Sequence, residues 1–165
     1  MRVSSLPFTN EADRYKLSLF PWQIVGALSF LGDKFSEGRQ VARFKATVRK
    51  ATKILGVPFT ETVWGLKLEW GRWGDRAHFH FVLAGLPASK VKAACALLNA
   101  LWKVKGGGRE ADIEIYDSKE NGLAYIAKRP GVRPDNAARS TAKFGVNGED
   151  ILFSENFVRL AKLPG

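Results

Sequence analysis

The most regular feature of the chain is a pair of strictly alternating stretches near its middle. Over 62–71, Trp64, Leu66, Leu68 and Trp70 fall on one side, and Gly65, Lys67 and Glu69 on the other. Over 76–84, Phe79, Phe81 and Leu83 oppose Arg76, His78 and His80. A period of two predicts strands with one buried face. The short GRWGD connection suits a hairpin. Aligning the two apolar faces brings Glu69, His78 and His80 onto one sheet surface.

The flanking segments read with other periods. WQIVGALSF, at 22–30, predicts a first strand. A helix is predicted over 36–55, with Ser36 as its cap and Val41, Phe44, Val48, Ala51 and Leu55 facing the core. A second helix, 89–104, carries the stripe Val91, Ala94, Cys95, Leu98, Leu101 and Trp102, and ends at Gly106, Gly107 and Gly108. A short strand at 111–116 alternates Ala111, Ile113 and Ile115 with Asp112, Glu114 and Tyr116. A third helix, 118–128, stops before Pro130, and 130–145 reads as a mobile basic loop. The order β-α-β-β-α-β-α predicts an α+β fold, an antiparallel sheet with helices packed on one face. The expected organisation is a polar lead-in at 1–15, a domain at 16–130, and a basic loop and C-terminal segment at 131–165. Within that last part, 150–162 would dock on the domain as a strand or short helix.

Composition narrows the partners. With 45% hydrophobic and 25% charged residues, the 165-residue chain has an ordinary globular balance. Its 26 Lys and Arg against 16 Asp and Glu leave a formal charge of +10, which favours a polyanion, with nucleic acid ahead of an acidic membrane. No apolar run is long enough to span a bilayer, so no membrane role is expected. Cys95 is the one cysteine, so no intrachain disulfide can form.

The chain has two histidines, and they are His78 and His80. On a strand, this spacing places both imidazoles on one face, where they can converge on a cation. Glu69 on the neighbouring strand would add a carboxylate, leaving coordination positions open for substrate. Asp75, Asp112 and Glu114 are the alternatives for that third ligand. An isolated His-x-His in a strand is more often just a pair of half-exposed side chains. Here the alternation aims both rings away from the core and toward a carboxylate. A second element is Tyr125 and Lys128, one helical turn apart. A tyrosine can attack phosphorus and hold a covalent intermediate, and a neighbouring ammonium can orient the phosphate. By itself this pair is also what any amphipathic helix offers. Trp73 in the hairpin tip could stack on a base, and Arg129 and Arg133 bring charge to the loop after the third helix. The basic residues of the first helix read more simply as a solvated outer face.

Together these residues resemble the HUH endonucleases, specifically the single-tyrosine rolling-circle replication initiators (Rep proteins) of plasmids and small single-stranded DNA viruses. HFHF at 78–81 is similar to the family's His-hydrophobe-His motif, and AYIAK at 124–128 to its tyrosine-lysine motif. VGALSF at 25–30 is similar to a degenerate first motif in which Ser29 stands in place of the usual threonines. Glu69, nine residues before His78, occupies the place of the acidic metal ligand in many members.

The resemblance implies a ferredoxin/RRM-like HUH fold. It implies a divalent ion, Mn2+ or Mg2+, held by His78, His80 and Glu69. It implies in-line attack by Tyr125 on single-stranded DNA at a replication origin near a hairpin, giving a 5′-phosphotyrosine and a free 3′-hydroxyl. Lys67 and Arg76 would hold flanking phosphates. No GxxxxGK[ST] motif occurs, so either the chain is a nuclease domain alone or a host helicase is its partner. The location would be the cytoplasm for a bacterial plasmid or phage and the nucleus for a eukaryotic virus. Two competing readings are a metallohydrolase that uses the same His, His and Glu set to activate water, and a non-catalytic RRM-like nucleic-acid-binding module.

Overall fold

The computed structural model describes residues 3–6, 20–30, 37–70, 77–106, 111–117 and 151–160. Among them are six strands: β1 (Val3–Leu6), β2 (Ile24–Ser29), β3 (Val63–Trp70), β4 (Ala77–Ala84), β5 (Ala111–Ile115) and β6 (Ile151–Ser154). They form one sheet in the order β1-β6-β3-β4-β2-β5, and every neighbouring pair is antiparallel. The helices are α1 (Glu37–Ile54), α2 (Val91–Leu101) and the short α3 (Glu155–Leu160). The fold is therefore α+β, as the alternation and helical periods predict.

The apolar stripe of α1 explains its docking. Phe44, Val48 and Ala51 are buried, with Val41 and Leu55 packed beside them. The Phe44 ring meets Trp64 edge-on at 5.5 Å and lies 5.3 Å from Phe81. Trp64, Leu66, Phe79, Phe81 and Leu83 are 0–1% exposed, so the β3–β4 hairpin places its apolar side beneath α1 and α2. The Lys90 ammonium donates to the Leu55 carbonyl at 2.6 Å, satisfying one of the orphan acceptors past the end of α1.

The segment predicted as one helix over 89–104 is divided. A 3-10 turn, Ala88–Lys90, leads into α2, and a π turn, Trp102–Gly106, follows it. At the widened turn Trp102 is fully buried, its Nε1 donating to the Ser29 carbonyl at 3.0 Å and its ring against Phe30. Local periodicity cannot register that anchor, because its acceptor is 73 residues away.

Two findings depart from the expected layout. Residues 3–6, read as lead-in, form an edge strand paired with β6, Val3 opposite Ser154 and Leu6 opposite Ile151. Four residues alternate too briefly to be recognised, and the partner lies at the far end of the chain. The second departure is on the far face of the sheet, whereas the helices were all expected on the other. A second apolar cluster covers one end of it, built from Trp22, Val63, Val82, Ala84, Phe153 and Phe157, with Phe20, Val25 and Tyr116 around it. Phe157 of α3 stacks on Phe153 at 4.4 Å and on Trp22 at 5.4 Å. Residues 151–160 thus supply first a strand and then a helix. Ser154 Oγ accepts from the Trp64 amide at 3.1 Å, and Asn156 Nδ2 donates to the Thr60 carbonyl.

Gly65 makes this arrangement possible. It pairs with Phe153 across β3–β6, and a Cβ at position 65 would lie 2.8 Å from the Phe153 ring. Gly85 follows β4 with φ +87°, where a Cβ would stand 2.2 Å from the Glu61 carbonyl oxygen, so only glycine fits both the dihedral and the space.

Candidate metal and nucleic-acid site

The other end of the far face carries the polar row predicted from the alternation. Across β2, β4 and β3 the register runs Ser29, His78, Glu69 in one row. The next row runs Ala27, His80, Lys67, with Asp112 of β5 beyond Ala27. One residue pair further along, Val25, Val82, Gly65 and Phe153 begin the apolar end. The site therefore sits at the hairpin end of the sheet, and the second cluster at the other end holds the strands in place beneath it.

Both imidazoles are half-buried, with ring centroids 4.9 Å apart and planes at 80°. Two imidazoles bound to one ion at about 2.1 Å each would place their ring centres about 4.5–5.2 Å apart. The observed spacing meets that requirement. Two nitrogen donors also suit a first-row divalent ion better than an all-oxygen cage would. Glu69 is directly opposite His78, one strand away, so its backbone stands where a third donor is needed. Asp112 is two strands from His80, and Asp112 and Glu114 are exposed on edge strand β5. No group of three His, Cys, Asp or Glu side chains is assembled among the described residues. Asp75 lies outside the described residues.

Lys67 differs from the expectation of an open phosphate contact. It shares the face with the histidines, directly opposite His80, but is only 3% exposed. The pattern of alternation gave its face and could not give its depth, because burial there depends on what covers the sheet. Ala27, beside His80, was not singled out from the sequence. Its small side chain keeps the sheet floor low between the histidines and Asp112, and the alternation of VGALS is the signal that could have found it.

Trp73, Arg76, Tyr125, Lys128, Arg129 and Arg133 lie outside the described residues. Of the remaining nucleophile-type groups, Tyr116 follows β5 and packs at the margin of the second cluster. Burial, and secondarily the Asp117 charge, push its phenol above the usual tyrosine range, which disfavours a phenolate there. Cys95 is buried on α2 at the helix-covered core, and burial chiefly raises its thiol. Neither belongs to the polar row.

No protein-family model matches the chain, and no curated protein matches it. Among solved structures, the N-terminal nuclease domain of non-structural protein 1 of minute virus of mice is similar over 86% of this chain and 69% of that chain, at 9% identity and a TM-score of 0.36. That domain is described as coordinating Zn2+ in its active-site pocket and recognising DNA at the origin of replication.

Proposed function

We propose that this chain is a metal-dependent endonuclease that nicks and rejoins single-stranded DNA through a tyrosine. The observation that carries the proposal is the side-by-side pair of half-buried imidazoles on one sheet face, with Glu69 in register beside them. His78, His80 and Glu69 would hold a divalent ion, Mn2+ or Mg2+, which when bound supplies Lewis-acid polarisation of the scissile phosphate.

The protein's own groups do the rest. The Tyr125 oxygen attacks phosphorus and loses its proton. A Tyr–O–P bond forms as the P–O3′ bond breaks, and the departing oxygen takes up a proton to become a 3′-hydroxyl. Lys128 steadies the charge on the phosphoryl oxygens. Trp73 stacks a base, and Arg76, Arg129 and Arg133 hold flanking phosphates. Lys67 contributes positive potential from within the sheet surface. An incoming 3′-hydroxyl reverses the reaction and joins strands. The free 3′-hydroxyl primes rolling-circle replication at an origin beside a hairpin, with strand opening by a host helicase. Cytoplasm or host nucleus follows from whether the DNA belongs to a bacterial replicon or a eukaryotic virus.

The test is incubation with Mn2+ and a library of hairpin-flanked single-stranded oligonucleotides, followed by a denaturing gel. A retarded protein–DNA band is expected, lost in Tyr125→Phe and on chelation. Cleavage with no covalent band would favour water activation and overturn the tyrosine assignment.

A further inference from the structure

Ser29 is the last residue of β2 and stands directly opposite His78. Along β2, Ile24 and Leu28 are buried beneath the helices, while Val25, Ala27 and Ser29 are half-buried. Alternation therefore puts Ser29 on the far face, with the histidines. The end of a strand is ordinarily where a sheet frays first. This end is fastened twice. The fully buried Trp102 donates through Nε1 to the Ser29 carbonyl at 3.0 Å. Phe30 and Phe79, which follow Ser29 and His78 in the chain, meet edge-on at 5.1 Å on the helix-covered side, and Phe30 meets Trp102 at 5.2 Å. The backbones of Ser29 and His78 are thus held together from beneath by packed rings. The indole is delivered by a π turn, a departure from α-helical geometry that is frequent at functional sites.

We infer that Ser29 is a positioning residue for His78: its Oγ accepts the Nδ1 proton and leaves Nε2 to face the ion. The assignment rests on the metal site proposed above and adds a residue to it. An unrestrained imidazole rotates and shares its proton between two nitrogens, so a ligating ring is ordinarily held by a bond at its second nitrogen. Of the described side chains level with the two rings on the neighbouring strands, Ala27 carries no polar atom and Lys67 ends in an ammonium, which only donates. Glu69 is the proposed third ligand. Ser29 is the acceptor that remains, and it stands beside His78. Residues directly opposite one another on antiparallel strands have Cβ atoms about 4.5–5.5 Å apart. Across that gap a serine hydroxyl reaches the ring nitrogen nearer the backbone at ordinary hydrogen-bond length, and Nε2 projects beyond it. His80 has Ala27 and Lys67 at its sides, so the device serves His78 and not His80.

The experiment uses the full chain labelled with 15N, in which His78 and His80 are the only imidazoles. Long-range 1H–15N correlation spectra without metal, in mildly alkaline buffer, should show His78 chiefly as the Nδ1–H tautomer, its signals assigned by their loss in His78→Gln. Ser29→Ala should return that ring to a mixture of tautomers and leave His80 unchanged. In calorimetric titration Ser29→Ala should lower Mn2+ affinity about tenfold, the ordinary effect of removing a partner of a ligating histidine. Ser29→Thr, which keeps the hydroxyl, should retain both the tautomer and most of the affinity. Circular dichroism of both variants should match the unmodified chain, because the side chain is only half-buried. A His78 tautomer unmoved by Ser29→Ala overturns the inference. So does a loss of Mn2+ affinity in Ser29→Thr as large as that in Ser29→Ala. The spectra need neither metal nor cleavage. A chain that shows the tautomer effect and binds no Mn2+ would therefore refute the metal site itself, separately from the bond between Ser29 and His78.

Discussion

Gly65→Ala tests whether the C-terminal segment is locked to the sheet by ring packing. The backbone at 65 is not in the left-handed region, so alanine meets no dihedral penalty. Its Cβ would lie 2.8 Å from Phe153 Cε1, 3.2 Å from Cδ1 and 3.3 Å from Val82 Cγ2. Relief requires moving the Phe153 ring, which is 0% exposed and stacked on Phe157, itself against Trp22 and Phe20. Overpacking of this kind costs about 1–3 kcal/mol. The reduced freedom of the unfolded chain returns about 0.4–1 kcal/mol. The net loss should be about 1–2 kcal/mol, or a fall in Tm of about 2–8 °C for a chain of this size. Thermal unfolding followed by circular dichroism measures it. Phe153→Leu in the Gly65→Ala background should recover part of the loss, giving a coupling of at least about 0.5 kcal/mol in the double-mutant cycle. A Gly65→Ala variant melting at or above the unmodified chain, or strictly additive costs, would refute the reasoning.

Other expectations are as specific. Gly85→Ala combines a positive φ with a blocked Cβ position and should cost at least about 2 kcal/mol, read from urea denaturation midpoints. His78→Ala should lower Mn2+ affinity by tenfold or more in calorimetric titration while leaving the melting temperature within a few degrees, since the side chain is only half-buried. The raised Cys95 thiol gives a signed pH dependence. Its protonated form is favoured by the fold, so this contribution to stability is fully present below the ordinary thiol value of 9.0 and is lost as pH rises through the higher folded value. Cys95→Ala should flatten the decline in melting temperature above pH 9, and native Cys95 should react with iodoacetamide far more slowly than the unfolded chain.

What the amino-acid pattern disclosed was whatever depends on near neighbours. The faces of β3 and β4 follow from a period of two, and Trp64, Leu66, Phe79 and Phe81 lie under the helices as that period requires. The pairing of Glu69 with His78 follows once the hairpin is granted. What stayed hidden depends on distant partners. β1 is legible only beside β6, and Trp102, expected on the apolar stripe, has its acceptor on β2, 73 residues away. The second aromatic cluster is drawn from both sides of the sheet's sequence, Phe20 and Trp22 near the start and Phe153 and Phe157 near the end. Lys67 shows the same limit within one strand, since alternation assigns a direction and tertiary cover decides the depth.

The adjacency of β1 and β6 also has a consequence for assembly. Strands β2 to β5, with α1 and α2, span residues 24–115 and can pair as soon as they are made. The flank that β6 covers must wait until residue 154 has left the ribosome, and β1, made before the rest of the sheet, can find its place only after that. Closing so long a loop is entropically expensive and should come last. Amides of β1 and β6 should therefore gain protection in pulsed hydrogen exchange after those of β2, β3 and β4, and the final step of folding joins the two extremities of the sheet.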